Sequence, residues 1–230
     1  MGSDKLPAHV VIIPDGNRRW ARARGLKPWE GHYKSGSYDN LISLFREAKK
    51  LGVKYLSIWA FSTENWKRDK KEVDILLNLT LKRIMDLGKE IHKDKIRIRH
   101  LGRKDRIPAK LARELEKLEK ETSGYKDSNV QILLDYGGRD EILRAVNKLV
   151  EKGEKVDELT FSKALDTADI PDVDLIIRTS GEKRLSGLMP FQGVYAELCF
   201  VDKHFPDFNA EDLRTAVEDF GKRKRNFGGN

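Results

Sequence analysis

One cysteine in 230 residues, Cys199, leaves no partner for an intramolecular disulfide and no thiolate set for a zinc or iron–sulfur site. A reducing cytoplasm is the expectation. No Pro/Gly/Ser-rich linker, repeat or low-complexity tract interrupts the chain, so residues 1–230 read as a single domain. The longest apolar runs, such as Val10-Val11-Ile12-Ile13, fall far short of the ~20 residues of a membrane-spanning helix. Met1 to Pro7 lack the apolar segment of a secretion signal, and Leu6 stands where a myristoylation signal wants Ser or Thr. The five histidines show no zinc-ligand spacing. A Walker A loop, a Gly-x-Gly-x-x-Gly turn and a pair of adjacent aspartates are all missing.

What is present is charge. Charged residues make up 36% of the chain and hydrophobic residues 39%, a globular balance with a heavily charged surface. Lys and Arg number 45 against 37 Asp and Glu, and the net charge of +8 calls for an anionic partner. A nucleic-acid binder spreads its arginines along a face; here many sit beside glycines and short polar residues, the pattern of a phosphate pocket. The run Lys222-Arg223-Lys224-Arg225 reads as a solvated helix end, and no nucleic acid is expected as a partner.

Short apolar runs alternate with longer amphipathic stretches. The pattern predicts strands at 9–13, 53–60, 96–101, 130–134, 175–178 and 196–201. Helices are predicted near 36–51, 71–92, 109–121, 139–152 and 157–165, and at 210–224 with Asn209 as N-cap and Gly228-Gly229 beyond its end. This is an α/β domain, a mostly parallel central sheet flanked by helices. In such sheets ligands bind beyond the carboxyl ends of the strands. Four polar segments fall there: Asp15-Gly16-Asn17-Arg18-Arg19-Trp20, then 61–68, then Tyr136-Gly137-Gly138-Arg139, then 178–186.

In the first segment Gly16 allows a tight turn, Asn17 is suited to cap a helix, and Arg18 and Arg19 match phosphate oxygens. Asp15 would repel a phosphate unless a divalent cation lay between them; a plain Asp–Arg salt bridge is the competing reading. Residues 178–186 combine Arg178 and Arg184 with the hydroxyls of Thr179, Ser180 and Ser186, either a diphosphate cradle or a solvated loop. Phe61 and Trp66 either wall an apolar channel, with Ser62, Asn65 and Arg68 at its mouth, or belong to the core. The helix near 71–92 carries more apolar faces than one stripe needs, so it is buried on several sides or lines an apolar cavity.

Together these residues resemble the cis-prenyltransferases, the undecaprenyl diphosphate synthase family, from about His9 to Gly229. The motifs that carry the resemblance are Asp15-Gly16-Asn17 with Arg19-Trp20, Gly31-His32, Ala60-Phe61-Ser62-Thr63-Glu64-Asn65-Trp66 with Arg68, Tyr136-Gly137-Gly138-Arg139, Arg178-Thr179-Ser180-Gly181-Glu182 with Arg184 and Ser186, and Tyr195-Ala196-Glu197-Leu198. The missing Asp-Asp pair separates the chain from the all-helical trans-type synthases. The resemblance implies an apolar tunnel, a homodimer, peripheral membrane contact for product release, and condensation of isopentenyl diphosphate with an allylic diphosphate, with loss of pyrophosphate.

By motif position, the resemblance makes Asp15 and Glu197 the carboxylates of Mg²⁺. Gly16, Asn17, Arg18, Arg19 and His32 would hold the allylic diphosphate; Arg178, Arg184 and Ser186, with Leu185 between them, the isopentenyl diphosphate. Asp15 and Asn65 are the implied catalytic residues, Asn65 assisting proton removal. Trp20, Ser62, Thr63, Glu64, Trp66 and Arg68 complete the implied substrate site. Four departures stand out: Pro28 where the family has an arginine, Arg18 where it often has glycine, Gly187 and Phe191 where it has Asn and Trp, and Asn226-Phe227-Gly228 for its Arg-x-Gly. Arg18, Lys27 and Arg225 are the cations nearest the vacated positions. The departures point to altered substrate use, a short or irregular product or another acceptor; a non-catalytic subunit of the same fold is the competing function.

Overall fold

The computed structural model describes residues 6–35 and 37–226. Its six strands all run parallel: β1 (His9–Ile13), β2 (Tyr55–Ser62), β3 (Ile96–Leu101), β4 (Ser128–Tyr136), β5 (Leu175–Thr179) and β6 (Glu197–Val201), in the order β3-β4-β2-β1-β5-β6. They are the six that the alternation predicts; β1 and β3 have the predicted ends and the other four are shifted at one or both. β2 begins after residue 53 because the Val53 N–H still closes the preceding helix on Ala48 O, past the left-handed turn at Gly52. It runs on to Ser62 through a register shift against β4 between Trp59 and Phe61.

The helices are α1 (Asn17–Arg22), α2 (Pro28–Ser35), α3 (Tyr38–Lys50), α4 (Lys70–Lys93), α5 (Ala109–Thr122), α6 (Gly138–Glu151), α7 (Glu158–Ala164) and α8 (Ala210–Phe220). The predicted helix at 36–51 starts one residue later than its Ser37 cap; Gly36 lies outside the described residues. α2 is absent from the predicted elements, and of α1 only a helix start at Asn17 is foreseen. Pro28 opens α2, where its fixed φ suits a first helical turn, and Glu30 accepts the Lys27 N–H at 2.7 Å. Gly31 lets the two helices cross: a Cβ there would lie 1.9 Å from the Asn17 carbonyl oxygen.

The last helix stops at Phe220, short of the predicted 224, and the basic run beyond it is no solvated helix end. The chain turns after Gly221, so that Arg223 pairs with Glu197 and Asp219 and Arg225 with Asp174. Gly228, Gly229 and Phe227 lie outside the described residues.

β1 is buried on both faces, which its unbroken apolar run requires of a central parallel strand. Val10 and Ile12 face the larger core under α3, α4, α5 and α8; Val11 and Ile13 face a smaller one with Ile176, Leu188 and Met189. Each such side chain contributes roughly 1.5–3 kcal/mol by leaving water. The chain leaves β1 toward β2 and leaves β5 toward β6, in opposite directions, and a crevice opens between the carboxyl ends of β1 and β5. Among the described residues no helix is long and apolar enough to cross a membrane.

Candidate functional site

The turn after β1 is fixed before its side chains matter. Gly16 is left-handed at φ +88°, and a Cβ there would sit 2.4 Å from Ser180 Oγ and 2.5 Å from His204 Nδ1. Gly16, not Asn17, is the N-cap of α1; Asn17 is its first residue. The Asp15 N–H donates to Thr179 Oγ1 at 2.8 Å, tying the turn to the end of β5. Asp15 Oδ2 accepts from Arg178 at 2.9 Å, and Oδ1 from the Gly16 N–H at 2.6 Å. Burial pushes this carboxyl up, but the Arg178 hydrogen bond, the Gly16 N–H and the charges of Arg178 and Arg19 outweigh it and hold it below 3.8.

Beside Asp15 lies a basin of about 320 Å³ lined by Arg18, Arg19, Arg22, Arg68 and His32, together with the Gly16–Asn17 backbone. Glu72 is the counter-charge on its inner side, 3.1 Å from Arg68 and 3.8 Å from Arg18. Burial, then the charges of Arg68, Arg83 and Arg18, push the His32 imidazole down to about 3, so the ring is neutral at ordinary pH. Arg22 escaped the sequence reading; it lies four residues from Arg18 on α1, a pairing visible only once that stretch is known to be helical.

Arg178 is buried and forms the second arm of the crevice, donating to Ser186 Oγ at 2.9 Å and to the Arg184 carbonyl. The Arg184 side chain is exposed and pairs with Glu182, which also takes Arg19 at 2.7 Å. Leu185 packs on the smaller core and does not line the cavity.

Below the basin a cavity of about 380 Å³ runs under α4, with Asp15, Arg178, Ser62 and Asn65 at its mouth and Phe45, Ile58, Leu87 and Ile91 deeper. This is the apolar tunnel that the resemblance implied. Asn65 Oδ1 accepts the Ser62 N–H at 3.0 Å, so the two are held by a reciprocal cap at the start of a 3₁₀ turn. Glu64 lines the cavity, while Thr63 donates to it from outside at 3.1 Å.

Besides Leu185 and Thr63, three predicted residues lie elsewhere. Trp20 donates its indole N–H to Asp207 at 2.8 Å and braces α1 against the 205–207 turn. Trp66 donates to Asp135 at 2.8 Å and packs edge-on against Phe61, behind the cavity wall. Glu197 opens β6, paired in register with Leu175 and so with Val10; that is three residues, or about 10 Å, back along the sheet from Ile13, and Arg223 holds it at 2.9 Å. Within one chain it does not share a metal with Asp15. Of the cations near the vacated family positions, only Arg18 lines the basin: Lys27 lies over Trp29, and Arg225 pairs with Asp174 at 2.8 Å.

Eight buried side-chain polar atoms lack a partner among the described residues, and four of them belong to the basin and its crevice: Asn17 Oδ1, Arg18 Nε, His32 Nε2 and Arg178 Nε. Three are guanidinium or ring nitrogens, and the set suits an anion rich in acceptors. Among the described residues no three His, Cys, Asp or Glu side chains gather into a metal cluster. The ionised Asp15 alone fits a divalent cation that takes its other ligands from bound phosphate oxygens.

A family model described as "Putative undecaprenyl diphosphate synthase" matches residues 13–228. The isoprenyl transferase of Aquifex aeolicus is 45% identical over 226 residues, covering 97% of this chain and 96% of that one. The geranylgeranyl-diphosphate-specific tritrans,polycis-undecaprenyl-diphosphate synthase of Thermococcus kodakarensis is 40% identical over 236 residues, covering 98% and 88%. Among solved structures, lavandulyl diphosphate synthase from Lavandula x intermedia, in complex with dimethylallyl diphosphate, matches with a TM-score of 0.92 at 35% identity, covering 99% of this chain and all of that one.

Proposed function

The chain belongs to the undecaprenyl diphosphate synthase family and is a prenyltransferase that elongates cis-prenyl chains; from there we propose how its own residues carry the reaction. The allylic diphosphate lies in the basin on Gly16, Asn17, Arg18, Arg19, Arg22 and Arg68, beside neutral His32, with its hydrocarbon tail in the cavity. Isopentenyl diphosphate lies against Arg178, Ser186 and Arg184. The allylic C1–O bond breaks and its electron pair leaves with the pyrophosphate. The isopentenyl double bond supplies the pair for a new bond to C1, and the proton lost from the adjacent isopentenyl carbon goes to the departing pyrophosphate. The product is a diphosphate one isoprene unit longer, plus pyrophosphate.

The arginines of the basin stabilise the charge that develops on the leaving group. A divalent cation, Mg²⁺ by the family's chemistry, would be held by Asp15 together with diphosphate oxygens and would share that charge. Asn65 and Ser62, locked to each other at the mouth, orient the isopentenyl unit, and the apolar walls keep water from the electron-poor carbon.

The observation that carries this reading is the junction itself: four unpartnered buried polar atoms, three of them nitrogens, at the mouth of an apolar cavity. Incubation with labelled isopentenyl diphosphate, a panel of allylic diphosphates and Mg²⁺, followed by product identification, tests it. Absence of any condensed product would sink it. A second reading, an irregular product or another acceptor, draws on the vacated arginine positions and on the lavandulyl diphosphate synthase likeness; branched rather than linear products by NMR would decide for it. Self-association through the exposed Val194, Tyr195 and Leu198, at the edge strand β6, completes the proposal, with sedimentation as its test.

A further inference from the structure

Down the cavity, α4 presents Leu76, Thr80, Arg83 with Ile84, Leu87 and Ile91 in successive turns. Each is apolar or carries only a hydroxyl, except Arg83. Its guanidinium donates one hydrogen bond, to the His32 carbonyl in the last turn of α2, and its Nε is buried without a partner. The other two arginines of this cavity are neutralised, Arg68 by Glu72 and Arg178 by Asp15. No carboxylate among the described residues pairs with Arg83. Burial pushes it down to about 10, so it remains a cation at neutral pH.

Position gives this charge its consequence. At 1.5 Å per residue, Arg83 stands about 10 Å along α4 from Leu76 and about 12 Å before Ile91. Side chains lean toward the N-terminus of their helix, and the hydrogen bond to His32 sets the guanidinium on the basin side of the deeper apolar stretch. A tail anchored in the basin must pass it to reach Leu87 and Ile91.

An unpaired guanidinium is tolerated only while water or an acceptor faces its N–H groups. With a short tail, water occupies the space beside Arg83. Each added isoprene unit slides apolar surface past the guanidinium and strips that water, and no carboxylate compensates. The cavity's 380 Å³ also lies at the small end of ligand sites. Resting on the prenyl-transfer reading above, we infer that Arg83 is the specificity-determining residue that ends chain growth, confining this enzyme to short allylic substrates and short products.

The test is product length by mass spectrometry, with labelled isopentenyl diphosphate, Mg²⁺ and dimethylallyl, geranyl, farnesyl or geranylgeranyl diphosphate. Wild type is expected to prefer the two shorter substrates, with kcat/KM at least about tenfold lower for geranylgeranyl diphosphate. Arg83→Met keeps the reach and removes the charge; its dominant product should be at least one isoprene unit longer and the discrimination should fade. Arg83→Lys should keep the wild-type lengths. If Arg83 served only to cap α2, Arg83→Met would lower the melting temperature without moving product length. Leu87→Ala widens the cavity beyond Arg83 and should leave product length unchanged; this arm decides the matter if Arg83→Met does not fold. Wild type that extends geranylgeranyl as readily as geranyl diphosphate, wild-type lengths from Arg83→Met, or longer products from Leu87→Ala would each overturn the inference. No condensed product from wild type with any of the four would overturn the prenyl-transfer reading instead.

Discussion

Asp15 and Arg178, 163 residues apart in sequence, close the crevice between β1 and β5 with a hydrogen bond of 2.9 Å. The pair holds the Asp15 carboxyl below its ordinary 3.8. Its contribution to stability is therefore fully present above that value and is lost as pH falls through the lower value of the folded protein. Asp15→Asn leaves the buried Arg178 unpaired and should cost on the order of 1–3 kcal/mol at pH 7. The deficit should shrink as pH drops below about 4. Urea titrations at both pH values measure it, and a pH-independent difference would show that the charge of Asp15 contributes nothing.

Asp15→Ala should abolish prenyl transfer, because it removes the carboxylate assigned to the divalent cation; a loss of several kcal/mol of transition-state stabilisation is the order of magnitude expected. Chelation of divalent cations should abolish wild-type transfer in the same way. Steady-state rates at saturating substrates provide the check, and near wild-type turnover by the variant would refute the assignment.

Arg178→Ala and Arg184→Ala should differ. Arg178 is buried and holds Asp15, Ser186 and the Arg184 carbonyl, so its loss should lower turnover as well as weaken isopentenyl diphosphate binding. Arg184 is exposed and shared with Glu182, and its loss should raise only the KM for isopentenyl diphosphate, by about 1.5 kcal/mol or less in free-energy terms. Equal effects in the two variants would count against this division of labour.

His32 is held at about 3 in the folded protein against an ordinary 6.5. The unfolded chain binds the extra proton between those values, so the residue makes stability rise with pH across that window. Wild type should lose about 2 kcal/mol from this source between pH 7.5 and pH 5. His32→Gln should flatten that component of the curve; a parallel pH dependence in both proteins would mean that His32 titrates alike in the folded and unfolded chains.

Arg18 is the basin cation that stands where the family often has glycine. Arg18→Gly should raise the KM for the allylic diphosphate several-fold, on the order of a charged hydrogen bond. Pro28→Arg in that background should recover part of the loss. An Arg18→Gly enzyme with unchanged allylic KM would show that the other three arginines suffice.

The strands were legible because parallel core strands are short apolar runs bounded by polar turns, and the residues just after β1, β2 and β5 announced the site. α1 and α2 were not. α1 spans six residues, begins at a left-handed glycine with no side-chain cap, and is rich in arginine, so it has the composition of a loop. Trp20 and Trp66 sit within site motifs, yet their indoles donate to the carboxylates of Asp207 and Asp135; sequence proximity does not say which way a ring points. The register of β6 sets Glu197 at the opposite end of the sheet from Asp15 within one chain, a separation that motif spacing does not reveal. Arg83 was invisible as a site residue, because a lone arginine in an apolar helix ordinarily reaches out to water.

The central position of β1 has a consequence for the order of assembly. It is the first strand made and is flanked by β2 and by β5, so one of its two edges stays open until residues 175–179 have been synthesised. At roughly 5–20 residues per second, Arg178 follows Asp15 by roughly 8–30 s. Once residue 68 has been made, a nascent chain carries every basic residue of the basin but still lacks Arg178 and Ser186. The crevice is thereby incomplete until residue 186 has been made, and the exposed edge of β1 is the surface that cotranslational chaperoning would have to cover.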